Sequence, residues 1–206
     1  QDSPHPTNFG FPGDQLAPGQ RGSSNMHVVG HVPLGGFLHV ADVEVEQELS
    51  RPFVYVSRRF HPYGIDILSI EDPSQPEIIY SWRMENSELH QGSGPLDGKY
   101  FKDGGRYYYV QSTQFSQGGP NSDLGAIIFD VTGLPDPSSV REVARITAPD
   151  TPGGFHNIFV YKHSDGRPLL LSTVNGPHAN VYDLSLAVSG RVDEALVGQI
   201  DVPQTN

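Results

Sequence analysis

The sequence predicts an all-β protein: a β-propeller-like array of about three four-stranded antiparallel blades. Two observations carry this prediction. First, the chain contains 23 Gly and 18 Pro among 206 residues, a composition that suits many short strands joined by turns better than long helices. Second, one strand-and-turn pattern recurs three times along the chain, as is typical of repeat architectures. Ten Phe and nine Tyr residues supply bulky side chains for a core.

The clearest copy of the pattern spans residues 53–76, FVYVSRRFHPYGIDILSIEDPSQP. Apolar and polar side chains alternate over 53–56 and again over 65–70, with Gly64 before the second run and Asp72 and Pro73 after it. Alternation with a period of two, bounded by Gly and Pro, is typical of half-buried antiparallel strands. Residues 37–45 and 77–82 are the predicted neighbouring strands, and 27–32 is a further short strand upstream.

The same order of strands occurs twice more. The second copy is predicted over 99–101, 106–110, 125–131 and 140–146, and the third over 154–161, 167–172, 178–184 and 195–200. Equivalent positions such as Val54, Tyr108 and Leu170 fall 54 and 62 residues apart, near the upper end of propeller blade periods. A β-sandwich also spaces strands regularly, but the internal similarity favours a propeller. We therefore predict blades over about 26–84, 85–149 and 150–203.

Three blades leave the predicted array open. Closed propellers usually have about four to eight blades, and an open array exposes unpaired strand edges. We therefore expect the chain to be part of a larger propeller, or to be completed by a protein partner or a second copy. Residues 1–25, rich in Pro and Gly, are either a flexible tail or an extended arm with Phe9, Phe11 and Leu16 as anchors.

The segment GIDILSIEDPSQPEIIYSW resembles the LVIVD repeat, a strand of the type L-x-I-x-D-V-S-D-P followed by a spacer and a Pro. GAIIFDVTGLPDP, with Asp130-Val131-Thr132 at the D-V-S core, and HANVYDLS resemble further copies, although the last lacks the Asp-Pro turn. GGFHNIFV resembles a His-Asn-Ile strand of larger secreted LVIVD proteins. The resemblance covers residues 37–203. It implies a propeller that is secreted or attached to the cell surface, and it implies no reaction.

Charge and cysteine content narrow the functional classes. The chain carries 24 acidic and 13 basic residues, a net charge of −11, which disfavours binding to phosphate backbones or anionic membranes. With no Cys, disulfides, thiolate metal sites and Cys nucleophiles are excluded. No apolar run approaches the roughly 20 residues of a membrane-spanning helix. The chain begins with Gln1 rather than Met, which suggests either a processed product or an artificially shortened chain. A cleaved signal peptide would leave such an end, so we expect a secreted, periplasmic or cell-surface location.

Three of the nine histidines are candidate metal ligands. His39, His90 and His156 each fall where the first strand of a predicted blade begins. First strands line the central channel of a propeller, so the three imidazoles could converge there and bind Cu, Zn or Fe. Alternatively, they hydrogen-bond to neighbouring strands or to channel water. No G-x-S-x-G motif, dinucleotide-binding motif or EF-hand pattern is present in the sequence.

Three recurring aspartates and four aromatic loop residues are further candidates for structural or binding roles. Asp66, Asp130 and Asp183 are expected to have a structural role, pinning the turns that follow them. Four aromatic residues, Phe60, Tyr63, Phe115 and Phe155, lie in predicted loops and either form a contact surface or pack back on their own blades. The leading functional hypothesis is a non-enzymatic, extracytoplasmic interaction or scaffold module. The alternative is a metal-dependent propeller enzyme, with sugar or polymer binding through the loop aromatics as a third possibility.

Overall fold

A computed structural model of the chain contains three four-stranded antiparallel sheets, which confirms the predicted fold class. The structure describes residues 21–23, 25–36, 38–115, 119–148 and 152–203, so most of the predicted N-terminal arm lies outside it. No helix in these ranges is long and apolar enough to span a membrane. The strands are β1 (Arg21–Ser23), β2 (Met26–His27), β3 (Val40–Val45), β4 (Phe53–Arg58), β5 (Gly64–Ser69), β6 (Glu77–Arg83), β7 (Gly92–Asp103), β8 (Arg106–Phe115), β9 (Leu124–Asp130), β10 (Arg141–Thr147), β11 (Ile158–Lys162), β12 (Pro168–Thr173), β13 (His178–Asp183) and β14 (Leu196–Asp201). One α-helix, α1 (Leu184–Val188), and 3-10 turns at Ser87–Leu89, Pro137–Ser139 and Val192–Glu194 accompany them.

Each sheet is a meander whose strands follow chain order. Blade 1 is β3-β4-β5-β6, blade 2 is β7-β8-β9-β10 and blade 3 is β11-β12-β13-β14. Strand β7 contacts β3 and β4 on one side and β11 on the other. The first strands of the three blades therefore lie next to one another, and β6, β10 and β14 lie at the outside, as in a propeller.

Two apolar layers hold the blades together. Between blades 1 and 2, the rings of Tyr55 and Tyr109 stack with centroids 4.4 Å apart, and both side chains are fully buried. Between blades 2 and 3, the ring of Phe155 fills the space above Gly125, where an added Cβ would lie 2.3 Å from the ring. Burial of aromatic side chains on both sides of blade 2 makes it the centre of the array.

Strand β7 is much longer than the sequence predicted. It runs over 12 residues rather than over 99–101, because the Gly and Pro residues at 92–98 are accommodated by register shifts instead of ending the strand. Gly94 has a φ of +69°, a left-handed conformation that favours glycine. The predicted strand over 27–32 is wrong beyond His27: Val32 and Leu34 instead pack against the surface of blade 1.

The recurring aspartates divide into two groups. Asp130 accepts a hydrogen bond from the backbone N–H of Thr132 at 3.0 Å, and Asp183 caps α1 by accepting from Ser185 N–H at 2.9 Å. Both therefore pin the following turn, as predicted. Asp66 was placed wrongly in this group: it lies inside β5, where it pairs with Arg58 at 2.7 Å and with Arg83 at 2.6 Å.

The outward side of blade 1, here called the blade-1 end face, carries exposed apolar side chains on its first and last strands. Between them lie the buried ion pairs of Asp66, which is opposite Val56 on the same face. Register pairs Val43 with Val56 and Ile78 with Leu68, so these side chains lie on one face. Val56 and Leu68 are buried beneath residues 32 and 34, whereas Val43 is 52% exposed and Ile78 is 44% exposed. Val45, on the same face, is also exposed.

Blade 3 has a matching surface on the opposite end, here called the blade-3 end face. Phe159, Leu171 and Val181 lie side by side across three strands, on the side away from the buried Ile158 and the other residues that pack on blade 2. Phe159 is 59% exposed, and Tyr161 and Ile200, on the same face, are also about half exposed. The array therefore presents apolar side chains at both ends.

Candidate functional site

A cleft of about 350 Å³, here called the inner cleft, opens where the start of β3, the middle of β7 and the segment before β11 meet. Blade 1 contributes Asp42 from β3, blade 2 contributes Asp97 from β7, and the segment before β11 contributes His156. Arg59, directly after β4, and apolar side chains including Leu96 complete much of the lining. The volume lies in the range of small-molecule sites.

A network of charged side chains across the inner cleft connects the three blades. Asp42 accepts hydrogen bonds from Gly98 N–H at 3.1 Å and from the Lys99 ammonium at 3.4 Å. The same ammonium binds Asp97 Oδ1, and Asp97 Oδ2 accepts from Ile158 N–H at 2.8 Å. Asp97 thus links blade 2 to blade 3 while Lys99 links blade 2 to blade 1, so the carboxylates of the cleft are held in fixed positions.

The surroundings change the pKa values of these groups. Burial acts to raise the pKa of Asp42, but the Gly98 N–H and the Lys99 ammonium outweigh it, so the pKa lies below its ordinary value. Burial likewise acts to lower the pKa of Lys99, and its hydrogen bond and attraction to Asp97 outweigh this, so that pKa is raised. Burial raises the pKa of nearby Glu44. At neutral pH, Asp42 and Lys99 therefore carry opposite charges.

Arg59 differs from its neighbour Arg58. Arg58 donates to Asp66 at 2.7 Å, whereas the Nε of Arg59 is buried and has no hydrogen-bond partner among the described residues. No carboxylate in the described part of the chain lies within ion-pair distance of Arg59. Its guanidinium carbon lies 5.2 Å from the ring centroid of Phe60. The cleft therefore holds a fixed positive charge whose hydrogen-bonding capacity is not fully used.

The three candidate histidines have separate surroundings. His39 precedes β3 and packs on Phe60 with ring centroids 5.8 Å apart. His90 is buried; its Nδ1 lies 2.9 Å from Asn86 O, and its Nε2 lies 3.0 Å from Asn121 Nδ2. His156 lines the inner cleft, with Nδ1 2.9 Å from Gln114 Oε1.

Each candidate histidine lies at the start of a first strand, but the structure does not bring them into one ligand set. Within the residues that the structure describes, no group of three or more His, Asp or Glu side chains is placed to hold a metal ion. Both ring nitrogens of His90 already have protein partners. Metal binding by His39, His90 and His156 therefore stays a prediction.

Of the two interpretations of the loop aromatics, packing back on the blades holds for three of the four residues. Tyr63, Phe115 and Phe155 are buried, so these residues pack back on the blades, which was the alternative reading of the same loops. Phe60 is 39% exposed and lies beside Arg59. The sequence reasoning missed the charged residues of the inner cleft, although the polar positions of β3, Asp42 and Glu44, alternate with valines and could have signalled a polar inner side.

No protein-family model matches the chain, and no curated protein matches it. Among solved structures, a mutant of the GH43 protein BlXynB from Bacillus licheniformis is similar over 82% of this chain and 32% of that one, with 12% identity and a TM-score of 0.48. The alpha-L-arabinofuranosidase from Lactobacillus brevis is similar over 72% of this chain and 50% of that one, with 13% identity and a TM-score of 0.45. The chain thus spans half or less of the length of these two structures, and its fold class rests on its own three sheets.

Proposed function

We propose that the chain is an extracytoplasmic β-propeller interaction module. Its end sheets pack against further β-structure, which a protein partner or a second copy of the chain supplies. The observation that supports this most directly is the pair of apolar end faces on blades 1 and 3. The resemblance to secreted LVIVD-repeat proteins, itself a proposal, supports the extracytoplasmic location.

The interfaces between neighbouring blades show what kind of surface an end face can bind. Blade 2 is covered on both sides, and Val110 and Ile127 on its two sides are fully buried. On the first strands of the end blades, Val43 of blade 1 and Phe159 of blade 3 lack this cover. Burying apolar surface is favourable by roughly 25 cal/mol per Å², so a further sheet on either end face would be stabilised as the inner blades are.

Self-association tests this proposal, because end faces without another partner are expected to meet each other. The full chain should show concentration-dependent association and bind the apolar dye anilinonaphthalene sulfonate. Val43→Lys and Phe159→Lys should each reduce both signals, since each places a charge among the exposed apolar side chains of one end face. Leu49→Lys is the matched control: Leu49 is fully exposed but lies in the turn between β3 and β4.

Two results would contradict the proposal. One is a wild-type chain that stays monomeric at every concentration and binds no dye. The other is a Leu49→Lys control that lowers association as much as the end-face variants do. The alternative function, a metal-dependent enzyme, gains no support from the arrangement of the described side chains and stays a prediction.

A further inference from the structure

We propose that the inner cleft binds a small zwitterion of the α-amino-acid class. Arg59 would receive the carboxylate, and the side of the cleft that carries Asp42 and Asp97 would receive the ammonium group. The site is separate from the end faces, so it does not depend on the proposed assembly function.

The first step concerns the positive side of the cleft. Arg59 has a buried Nε–H without an acceptor among the described residues, and its backbone is fixed by a hydrogen bond from its N–H to His39 O at 3.1 Å. A guanidinium presents parallel N–H donors that match the two oxygens of a carboxylate. No described carboxylate lies within ion-pair distance of Arg59, so a ligand carboxylate would supply the countercharge that the described residues do not.

The second step concerns the negative side. Asp42, Glu44 and Asp97 lie near one another on the first strands, and among the described residues only Lys99 forms an ion pair with any of them. The carboxylates therefore outnumber the described cations on this side, so a cationic group is favoured there over a neutral one. Hydrogen bonds from backbone N–H groups hold Asp42 and Asp97 in place. The lining of the cleft thus carries the guanidinium of Arg59 and the carboxylates of Asp42 and Asp97, which can pair with the two charges of a zwitterion.

The third step concerns size and the exclusion of other ligands. A volume of about 350 Å³ gives enough room for a single small molecule. Leu38 and Leu96 provide apolar surface for a modest side chain. Polyanions such as nucleotides would meet both the carboxylates of the cleft and a chain of net charge −11, so their binding is disfavoured.

Calorimetric titration of the full chain with three matched probes tests the proposal. L-Serine carries both charges, glycerate replaces the ammonium group with a hydroxyl group, and serinol replaces the carboxylate with a hydroxymethyl group. Serine should bind in the millimolar range or tighter, up to about 10 mM. Glycerate should bind more weakly, and serinol should not bind measurably, since it lacks the group that Arg59 recognises.

Variants connect this binding to the cleft. Arg59→Met should weaken serine binding about 10-fold or more, as expected for loss of a charge-assisted hydrogen-bonded pair. Arg59→Lys, which keeps the charge but loses the fork of donors, should fall between wild type and Arg59→Met, and it provides the test if the Met variant does not fold. Arg141→Met is the control, because Arg141 is exposed on the outer strand of blade 2.

Three outcomes would overturn the proposal: no saturable binding of serine, equal affinity for serine and serinol, or serine binding that Arg59→Met and Arg59→Lys leave unchanged. Equal affinity for serine and glycerate would overturn the assignment of an ammonium group to the acidic side.

Discussion

Replacing Arg51 with Met should strongly destabilise the contact between blades 1 and 2. Arg51 Nε donates to Glu46 Oε2 at 2.6 Å, and its Nη2 donates to Glu46 Oε1 at 3.0 Å and to Val131 O at 2.9 Å. Its guanidinium carbon lies 3.9 Å from the ring centroid of Tyr107. Because Val131 and Tyr107 belong to blade 2, one side chain joins the two blades.

The magnitude follows from the burial of Glu46, whose side chain is 0% exposed. In Arg51→Met this carboxylate keeps the hydrogen bond from Tyr55 but loses its countercharge. Removing one partner of a buried ion pair typically costs about 3–5 kcal/mol. This is a large share of the roughly 5–15 kcal/mol that stabilises a domain.

Urea unfolding followed by the fluorescence of Trp82 measures this cost, because Trp82 is the single tryptophan and packs on Phe129 across the same interface. The double variant Arg51→Met/Glu46→Gln is the informative control. It removes the uncompensated charge and keeps an acceptor for Tyr55, so it should be more stable than Arg51→Met alone. A single variant that loses less than about 1 kcal/mol, or a double variant no more stable than the single one, would refute the reasoning.

Two further predictions concern blade 2 and the acid side of the pH range. Gly98→Ala should destabilise the fold by about 1–3 kcal/mol in urea unfolding, because the added Cβ would lie 1.9 Å from Tyr109 Oη. Gly36→Ala is the control and should be nearly neutral, because its added Cβ would lie 3.7 Å from the nearest atom, in the ring of His39. Hydrogen bonds lower the pKa of Glu48 from 4.5 to about 2, and the hydrogen bond from Lys102 contributes most. The stabilising contribution of Glu48 is therefore complete above pH 4.5 and is lost as the pH falls toward 2. Glu48→Gln should flatten the pH dependence of the urea midpoint between these two pH values. An unchanged pH dependence would contradict this prediction.

The strand order could be predicted because alternation with a period of two reflects half-buried strands directly. The predicted strand over 65–70 corresponds to β5, Gly64–Ser69. The prediction failed where Gly and Pro residues, which usually end a strand, lie inside one because the strand pairing shifts register there, as at Gly94 and Pro95 in β7. It also missed α1, whose N-terminus depends on capping by Asp183. Local sequence patterns do not reveal register shifts or helix caps of this kind, because both depend on the folded structure.

The candidate site was predictable only in its position. The sequence placed His39 and His156 correctly at the starts of first strands, yet their side chains have separate partners. The residues that build the inner cleft depend on contacts between distant segments, such as Asp97 with Ile158 and Asp42 with Lys99. No local motif encodes these contacts, because each is made only when two blades pack together.

The most direct test of the central claim, that the end faces are interaction surfaces, is the sedimentation-equilibrium mass of the full chain over a range of concentrations. The monomer mass is 22.5 kDa. The apolar faces predict a mass that rises above this value with concentration, and a return to 22.5 kDa in the double variant Val43→Lys/Phe159→Lys. A wild-type mass of 22.5 kDa at every concentration would contradict the claim.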